Sequence, residues 1–274
     1  MSESVTRAAL DPQGYLHRIG FPAPLSHNAP SLPLLRALHE AHMLAVPFEN
    51  LSIHYGQPIV LRDEALFDKI VTRRRGGFCY ELNGLFAWLL RQLGFAVTLL
   101  SVEVAESDGS FSAPFDHLAL LIHDLDGADW LADVGFGDSF RHPLRFVRDC
   151  EQDGADRRVY RFGESAMPGG DDGVLPYWRV EQRSDAQALW EPAYRFTLRP
   201  HDLNDFTDRC QYQQTSPESH FTQRRVCSLA VPHGRVTLSD LRLITTLHGV
   251  REERLLASED EYQAVLAERF GVVL

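Results

Sequence analysis

A change of hydrophobic period at Gly94 constrains this chain more than any other feature of its sequence. From Cys79 to Leu93 the apolar residues fall at 82, 85, 86, 89, 90 and 93, which is a helical repeat, and Gly94 stops it. The apolar face is broad enough to predict a buried helix. Beyond Gly94 the pattern becomes strand-like. Phe95 to Val104 is rich in Val, Leu and Phe, while His117 to His123 and Trp130 to Val134 are short apolar runs bounded by turn residues. A chain that is helical first and β-rich afterwards belongs to the α+β class.

Upstream, Ser31 to Leu44 predicts an amphipathic helix with a Ser cap, an early Pro and apolar positions Leu34, Leu35, Leu38, Ala41 and Met43. A second helix is expected from Asp63, acting as its cap, through Leu66, Phe67 and Ile70, with Gly76 and Gly77 ending it. The stretches Ser107 to Pro114, Glu151 to Asp156 and Pro168 to Gly173 have loop chemistry. In the last part, Phe221 to Ala230 and Arg235 to Thr246 read as strands and Asp260 to Phe270 as a final helix. The 274 residues exceed the usual ~100 to 200 of one domain. Two or three cooperating subdomains are therefore expected: a helical part to about residue 93, a β region to about residue 195 and a last part that mixes both.

Asp and Glu outnumber Lys and Arg by 38 to 27, a formal charge of −11 that disfavours a nucleic-acid partner. The opening residues lack the positive start and apolar stretch of a signal peptide, and no apolar run approaches the ~18 to 20 residues that cross a bilayer. Cys79, Cys150, Cys210 and Cys227 are too few and too scattered for a disulfide scaffold, so a cytoplasmic protein with free thiols and no membrane partner is expected. The trio Arg73-Arg74-Arg75 reads as a complement to a helix dipole, with an anionic ligand as the rival reading.

Chemistry enters at Arg75-Gly-Gly-Phe-Cys79-Tyr-Glu-Leu-Asn83. A helix start offers Cys79 partial positive charge and free N–H groups, which favour a thiolate and can receive an oxyanion. The glycines let the chain turn and a substrate approach. The competing reading is a small buried hydrophobe. A nucleophilic Cys needs a base and a group that orients it. His117 and His123 lie six apart on one predicted strand, on the same side, so alternation does not choose between them. His39 and His42 have helical spacing for sharing a metal, but no further ligand cluster completes a site, and no metal is expected. Asp133, inside an apolar strand, either reaches solvent or holds a partner such as an imidazole.

The Arg75 to Asn83 run resembles the active-site motif of the arylamine N-acetyltransferases. Val46-Pro-Phe-Glu-Asn-Leu-Ser52, Asp133-Val-Gly-Phe-Gly137 and Ser216-Pro-Glu-Ser-His-Phe-Thr222 resemble three further blocks of that family, in its order. The resemblance implies a papain-like Cys-His-Asp arrangement of Cys79, His117 and Asp133 on three subdomains: 1–93 a helical bundle carrying the nucleophile, 94–195 a β-barrel-like domain carrying His and Asp, and 196–274 an α/β lid. It also implies a charged pair, Arg75 and Glu49, supporting the site, and a pocket that includes Phe48, Val102, Asp116, Phe136, Gly137 and Phe221.

The implied function is ping-pong acetyl transfer from acetyl-CoA, through an acetyl-cysteine, to arylamines, arylhydrazines or hydrazides, as in xenobiotic metabolism, by a monomer or homodimer. The rivals are an amide synthase with a carrier-bound acyl donor, a cysteine protease or transglutaminase, and a non-catalytic binding protein. Two residues depart from the common family pattern: Asp116 before His117, and Asp138 after Gly137. Both are expected to add negative charge beside the cleft and to weaken tolerance of anionic acceptors.

Overall fold

The structure, a computed structural model, describes residues 10–22, 29–165, 175–185 and 187–274. The loop expected at Pro168 to Gly173 lies outside these residues. Helix α1 (Pro12–Arg18) starts at Asp11, whose carboxylate accepts from the Gln13 and Gly14 amides. Helix α2 (Leu32–Ala45) starts at Ser31 and buries Leu34, Leu35, Leu38 and Met43, with Ala41 at the rim. Strand β1 (Phe48–Glu49) and the short α3 (Leu51–His54) follow.

The next helix departs from expectation at both ends. In α4 (Asp63–Phe67) the cap position is Arg62, and Asp63 lies in the first turn. The helix then widens into a π turn (Asp68–Thr72) and ends before the glycines, with Arg74 taking the left-handed backbone at φ 54°. Gly76 and Gly77 are required for a different reason. A β-carbon on Gly76 would lie 2.0 Å from the Pro47 carbonyl oxygen, and one on Gly77 would lie 2.7 Å from Glu81 Oε2. The glycine pair therefore lets two chain segments touch beneath the next helix.

That helix, α5 (Cys79–Gln92), is buried at every position from Cys79 to Leu90. Helices cover one side of it and a sheet covers the other, as its all-round apolar character requires. The sheet has eight antiparallel strands in the order β5-β4-β3-β2-β9-β8-β7-β6. They are β2 (Val97–Val104), β3 (His117–Leu125), β4 (Ala128–Ala132), β5 (Leu144–Arg145), β6 (Gln152–Asp153), β7 (Val159–Ser165), β8 (Tyr177–Arg183) and β9 (Glu191–Phe196). Alternation along β3 divides two cores. Leu118, Leu120 and Ile122 pack with α5, while Ala119 and Leu121 join Leu100, Val102, Phe162, Tyr194 and Phe196 inside the sheet's own curl. Phe140 meets Tyr160 across that interior at 5.4 Å between ring centroids, so the sheet is a nearly closed barrel.

A second sheet, order β1-β10-β11-β12-β13, contains β10 (Val226–Val231), β11 (Gly234–Ser239), β12 (Arg242–Leu247) and β13 (Val250–Leu255). The single strand expected at Arg235 to Thr246 is a hairpin that turns at Asp240, φ 46°. The strand expected from Phe221 begins instead as helix, because Ser219 Oγ accepts the Phe221 amide and starts a short turn. A 3-10 turn (Leu203–Phe206) leads into α6 (Thr207–Thr215), and that short turn is α7 (His220–Gln223). The last helix is α8 (Glu259–Phe270), capped by Ser258 and ended by Gly271 at φ 64°. It covers the second sheet through Tyr262, Val265, Leu266 and Phe270. Strand β1 pairs with β10, Phe48 opposite Ser228 and Glu49 opposite Cys227, so the early Pro-Phe-Glu block is an edge of the late sheet. No helix among the described residues is long and apolar enough to cross a membrane.

Candidate active site

Cys79 is the first residue of α5 and is 3% exposed. The helix start is held by Glu81, which accepts the Phe78 amide at 3.1 Å, and by Tyr80, whose hydroxyl donates to the Phe115 carbonyl at 2.8 Å. Phe115 sits at φ 65°, strained for a bulky residue, and this kink turns the chain so that β3 begins at His117 beside the helix. His117 Nε2 lies 2.7 Å from Asp133 Oδ2. Asp133, fully buried just beyond β4, also accepts at Oδ1 from Asn83 Nδ2 at 2.8 Å and from the Gly135 amide at 2.9 Å. Burial resists its ionisation, but His117, Asn83 and Gly135 hold the carboxyl below its ordinary value. An ionised Asp133 fixes the hydrogen on Nε2 of His117 and leaves Nδ1 as the basic nitrogen.

Asn83 stands four residues after Cys79, on the same helical face, yet motif reading gave it no task. It donates to the Leu118 carbonyl at 2.6 Å and to Asp133, and it accepts the Val134 amide at 2.9 Å. One amide side chain thus ties the helix to both strands. Gly135 completes the joint, since a β-carbon there would lie 2.8 Å from the Cys79 Cα.

Cys79 and His117 open on one cavity of about 280 Å3, walled by Phe48, Phe136 and Phe221, with Asp116, Gln213, Val104, Glu106, Gly135 and His220 around them. Of the sequence-named pocket residues, Val102 and Gly137 do not line it. Val102 is paired on both sides, with His117 and Phe196, and lies in the barrel core; Val104, one repeat further along β2, reaches the cavity. Gly137 turns the chain at φ 89° behind Phe48. His123 bonds Thr98 and Asp129 at the far end of β3, away from Cys79. Cys210 and Cys227 are buried and Cys150 is exposed, all three as free thiols.

Beneath the helix start lies a buried charge cluster. Arg75 Nε donates to Glu49 Oε1 at 3.1 Å, Lys69 Nζ donates to Glu81 at 2.7 Å, and Lys69 and Glu49 approach to 3.9 Å. Arg75 is therefore turned inward, while Arg73 pairs with Asp68 on the surface at 2.9 Å. The arginine trio is not one basic patch.

The electrostatics of the cleft differ from expectation. Burial pushes the Cys79 thiol up, and the charges of Asp116 and Asp133 act in the same direction. A hydrogen bond with the Leu118 backbone acts the other way. Asp116 is not a free charge, since its Oδ1 accepts from Arg209 Nε at 2.7 Å and from Gln213 Nε2 at 2.6 Å, both on α6. Asp138 is held by Arg158 and by Arg235, the latter at 3.2 Å. Both acidic departures are thus paired with arginine, and Asp116 ties the chain immediately before His117 to α6. A double-mutant cycle with Asp116→Asn and Arg209→Met, read by urea unfolding, is expected to give a coupling of about 1 to 3 kcal/mol; additive single effects would show that the pair joins nothing.

Among the described residues no group of three or more His, Cys, Asp or Glu is arranged to hold a metal. Both nitrogens of His39 bond backbone atoms described below, while His42 bonds the Tyr15 hydroxyl through Nδ1 at 2.6 Å and leaves its buried Nε2 without a partner among the described residues.

This α+β topology is that of a class of acyltransferases, and Cys79 and the His117 of the His117–Asp133 pair stand on one of its cavities. The chain belongs to the arylamine N-acetyltransferase family: residues 31–274 match the family described as N-acetyltransferase. It is 33% identical to the arylamine N-acetyltransferase pineal gland isozyme NAT-3 of Gallus gallus, over 97% of this chain and 95% of the relative. It is 32% identical to arylamine N-acetyltransferase 1 of Homo sapiens, over the same shares. Among solved structures, the arylamine N-acetyltransferase of Salmonella typhimurium superposes with a TM-score of 0.83 at 30% identity, covering 95% of this chain and 90% of that one. The Mycobacterium marinum enzyme in complex with CoA superposes with a TM-score of 0.81 at 32% identity, covering 96% and 93%.

Proposed function

We propose that this protein transfers an acetyl group from acetyl-CoA to the nitrogen of arylamines, arylhydrazines or hydrazides by way of an acetyl-thioester on Cys79. The observation that carries the reading is one cavity onto which Cys79 and His117 both open, with His117 locked by Asp133 in the tautomer that leaves Nδ1 free. In the first half-reaction Nδ1 takes the thiol proton. The thiolate attacks the acetyl carbonyl carbon, and the developing oxyanion faces the N-terminus of α5. The carbon–sulfur bond to CoA breaks, and the CoA sulfur takes the proton back from His117. In the second half-reaction the amine attacks the thioester, His117 removes a proton from its nitrogen, and Cys79 leaves as thiolate. Asp133 stabilises the imidazolium at each stage.

The three aromatic walls suit a flat acceptor: Phe48 and Phe221 pack on each other at 6.2 Å between centroids as one apolar wall, and Phe136 stands edge-on to His117 at 5.1 Å. In the division 1–93, 94–195 and 196–274, the first part supplies the nucleophile, the second the base and its carboxylate, and the third the Phe221 wall. Arg75 and Glu49 support the helix start from below. Mass spectrometry after incubation with acetyl-CoA alone is expected to show one acetyl group, on Cys79, that aniline then removes as acetanilide. Amine acetylation without acetyl-Cys79 would exclude the covalent route, and inertness toward acetyl-CoA with simple anilines would favour the amide synthase.

A further inference from the structure

Resting on the proposed role of Asp133, the geometry points to His39 as a positioning residue that sets the catalytic carboxylate through the backbone, its Nε2 accepting the Asp133 amide while its Nδ1 is anchored elsewhere. His39 lies on α2, 94 residues before Asp133, and is fully buried. Its Nε2 is 3.1 Å from the Asp133 amide nitrogen, and its Nδ1 is 2.7 Å from the Arg141 carbonyl oxygen. An amide can only donate and a carbonyl can only accept. The ring is therefore the neutral tautomer with hydrogen on Nδ1, and each nitrogen has the one partner it can serve.

The setting holds the ring as well as its protonation. Phe140 stacks on His39 at 6.0 Å and 15°, and Phe86 meets it edge-on at 6.0 Å and 79°. The titratable and charged neighbours are few: His42 one helical turn along α2, His142 beyond Arg141, and Asp133 itself. The Arg141 guanidinium is directed away from the ring, its two terminal nitrogens donating to the Pro232 and Gly234 carbonyls at 2.8 and 2.7 Å. Burial pushes the imidazole down to about 4, so it stays neutral at physiological pH.

The consequence for chemistry follows from where Asp133 stands. Its carboxylate is held by His117, Asn83 and Gly135, but its backbone has just left β4 and has no strand partner at this point. The His39 bond occupies that orphaned amide. It fixes the Cα from which the carboxylate is aimed, and it ties this point to the turn between β10 and β11 through Arg141. Without an acceptor at this place a buried N–H is left unpaired, and the segment relaxes away from His117. A weaker Asp133–His117 bond makes His117 a poorer base and raises the midpoint of Cys79 ionisation.

Two near-isosteres separate the functions of the ring. His39→Gln keeps an acceptor at the Nε2 position, whereas His39→Asn keeps only a group at the Nδ1 position. Single-turnover acetylation by acetyl-CoA is expected to stay within about threefold of the parent for His39→Gln and to fall about tenfold or more for His39→Asn. The pH midpoint of Cys79 alkylation by iodoacetamide is expected to rise in His39→Asn alone, with Asp133→Asn as the reference for full loss of the carboxylate. Equal rates and unmoved midpoints in both His39 variants, with only a lowered melting temperature, would overturn the proposal and leave His39 a packing residue. A parent-like Asp133→Asn would instead overturn the role of Asp133.

Discussion

Replacing Asp133 with Asn is expected to slow acetylation of Cys79 by about 1,000- to 10,000-fold with the fold intact. The size follows from hydrogen-bond directions. Oδ1 of Asp133 accepts from two donors, Asn83 Nδ2 and the Gly135 amide, so in the variant this position must be the amide oxygen. The amide nitrogen then faces His117 Nε2 at the place where Oδ2 stands 2.7 Å away. A donor there forces the hydrogen of His117 onto Nδ1, the nitrogen that must take the thiol proton. The side chain is isosteric, and its other bonds survive, so stability changes little. Single-turnover mass spectrometry measures the rate. A loss smaller than tenfold in a folded variant would sink the assignment of His117 as a base held by Asp133.

The second large effect is on stability. Arg75→Met is expected to cost about 3 to 5 kcal/mol, because it removes one member of a buried pair and leaves Glu49 fully buried with Lys69 at 3.9 Å. Its pH dependence has a definite sign. Burial resists ionisation of Glu49, yet Lys69 and Arg75 hold its carboxyl below the ordinary value. A depressed carboxyl contributes stability that is present above the unfolded value and lost as pH falls through the folded one. Glu81 acts oppositely, since burial raises it, and it reduces the acid slope of the cluster. In the parent, Glu49 therefore weakens the fold only below the ordinary carboxylate range. Without Arg75 the depression shrinks, and acid unfolding moves to higher pH. Urea midpoints across the acid range test this; a curve parallel to the parent's would show that Arg75 does not set the Glu49 proton.

What could be read from the sequence was what lies within one period of the chain. The helix at Cys79 follows from a repeat of apolar residues, and the strands from apolar runs bounded by turn residues. The single strand drawn through Asp240 failed because apolar content persists across a turn made by one residue at positive φ. At Phe221 the Ser219 cap outweighs β propensity, so the chain is helical where a strand is expected. The site shows the same limit. Cys79 has a local signature, but the choice of His117 over His123 came from family likeness, because strand alternation places both on one side. Nothing local says what Asn83, His39 and Arg209 bond. Their partners lie 50, 94 and 93 residues away, and a polar residue on an apolar helix face announces a partner without naming it.

The pairing of β1 with β10 bears on how the protein is made. A chain leaving the ribosome has Cys79, His117 and Asp133 long before it has residues 226–231, which bond Phe48 and Glu49. Until then the Glu49 strand is an open edge, and the cavity lacks the wall that Phe221 provides. The same order ties the first strand to one of the last, so a truncation that removes β10 should loosen the Phe48–Glu49 segment beneath Cys79 as well as the second sheet.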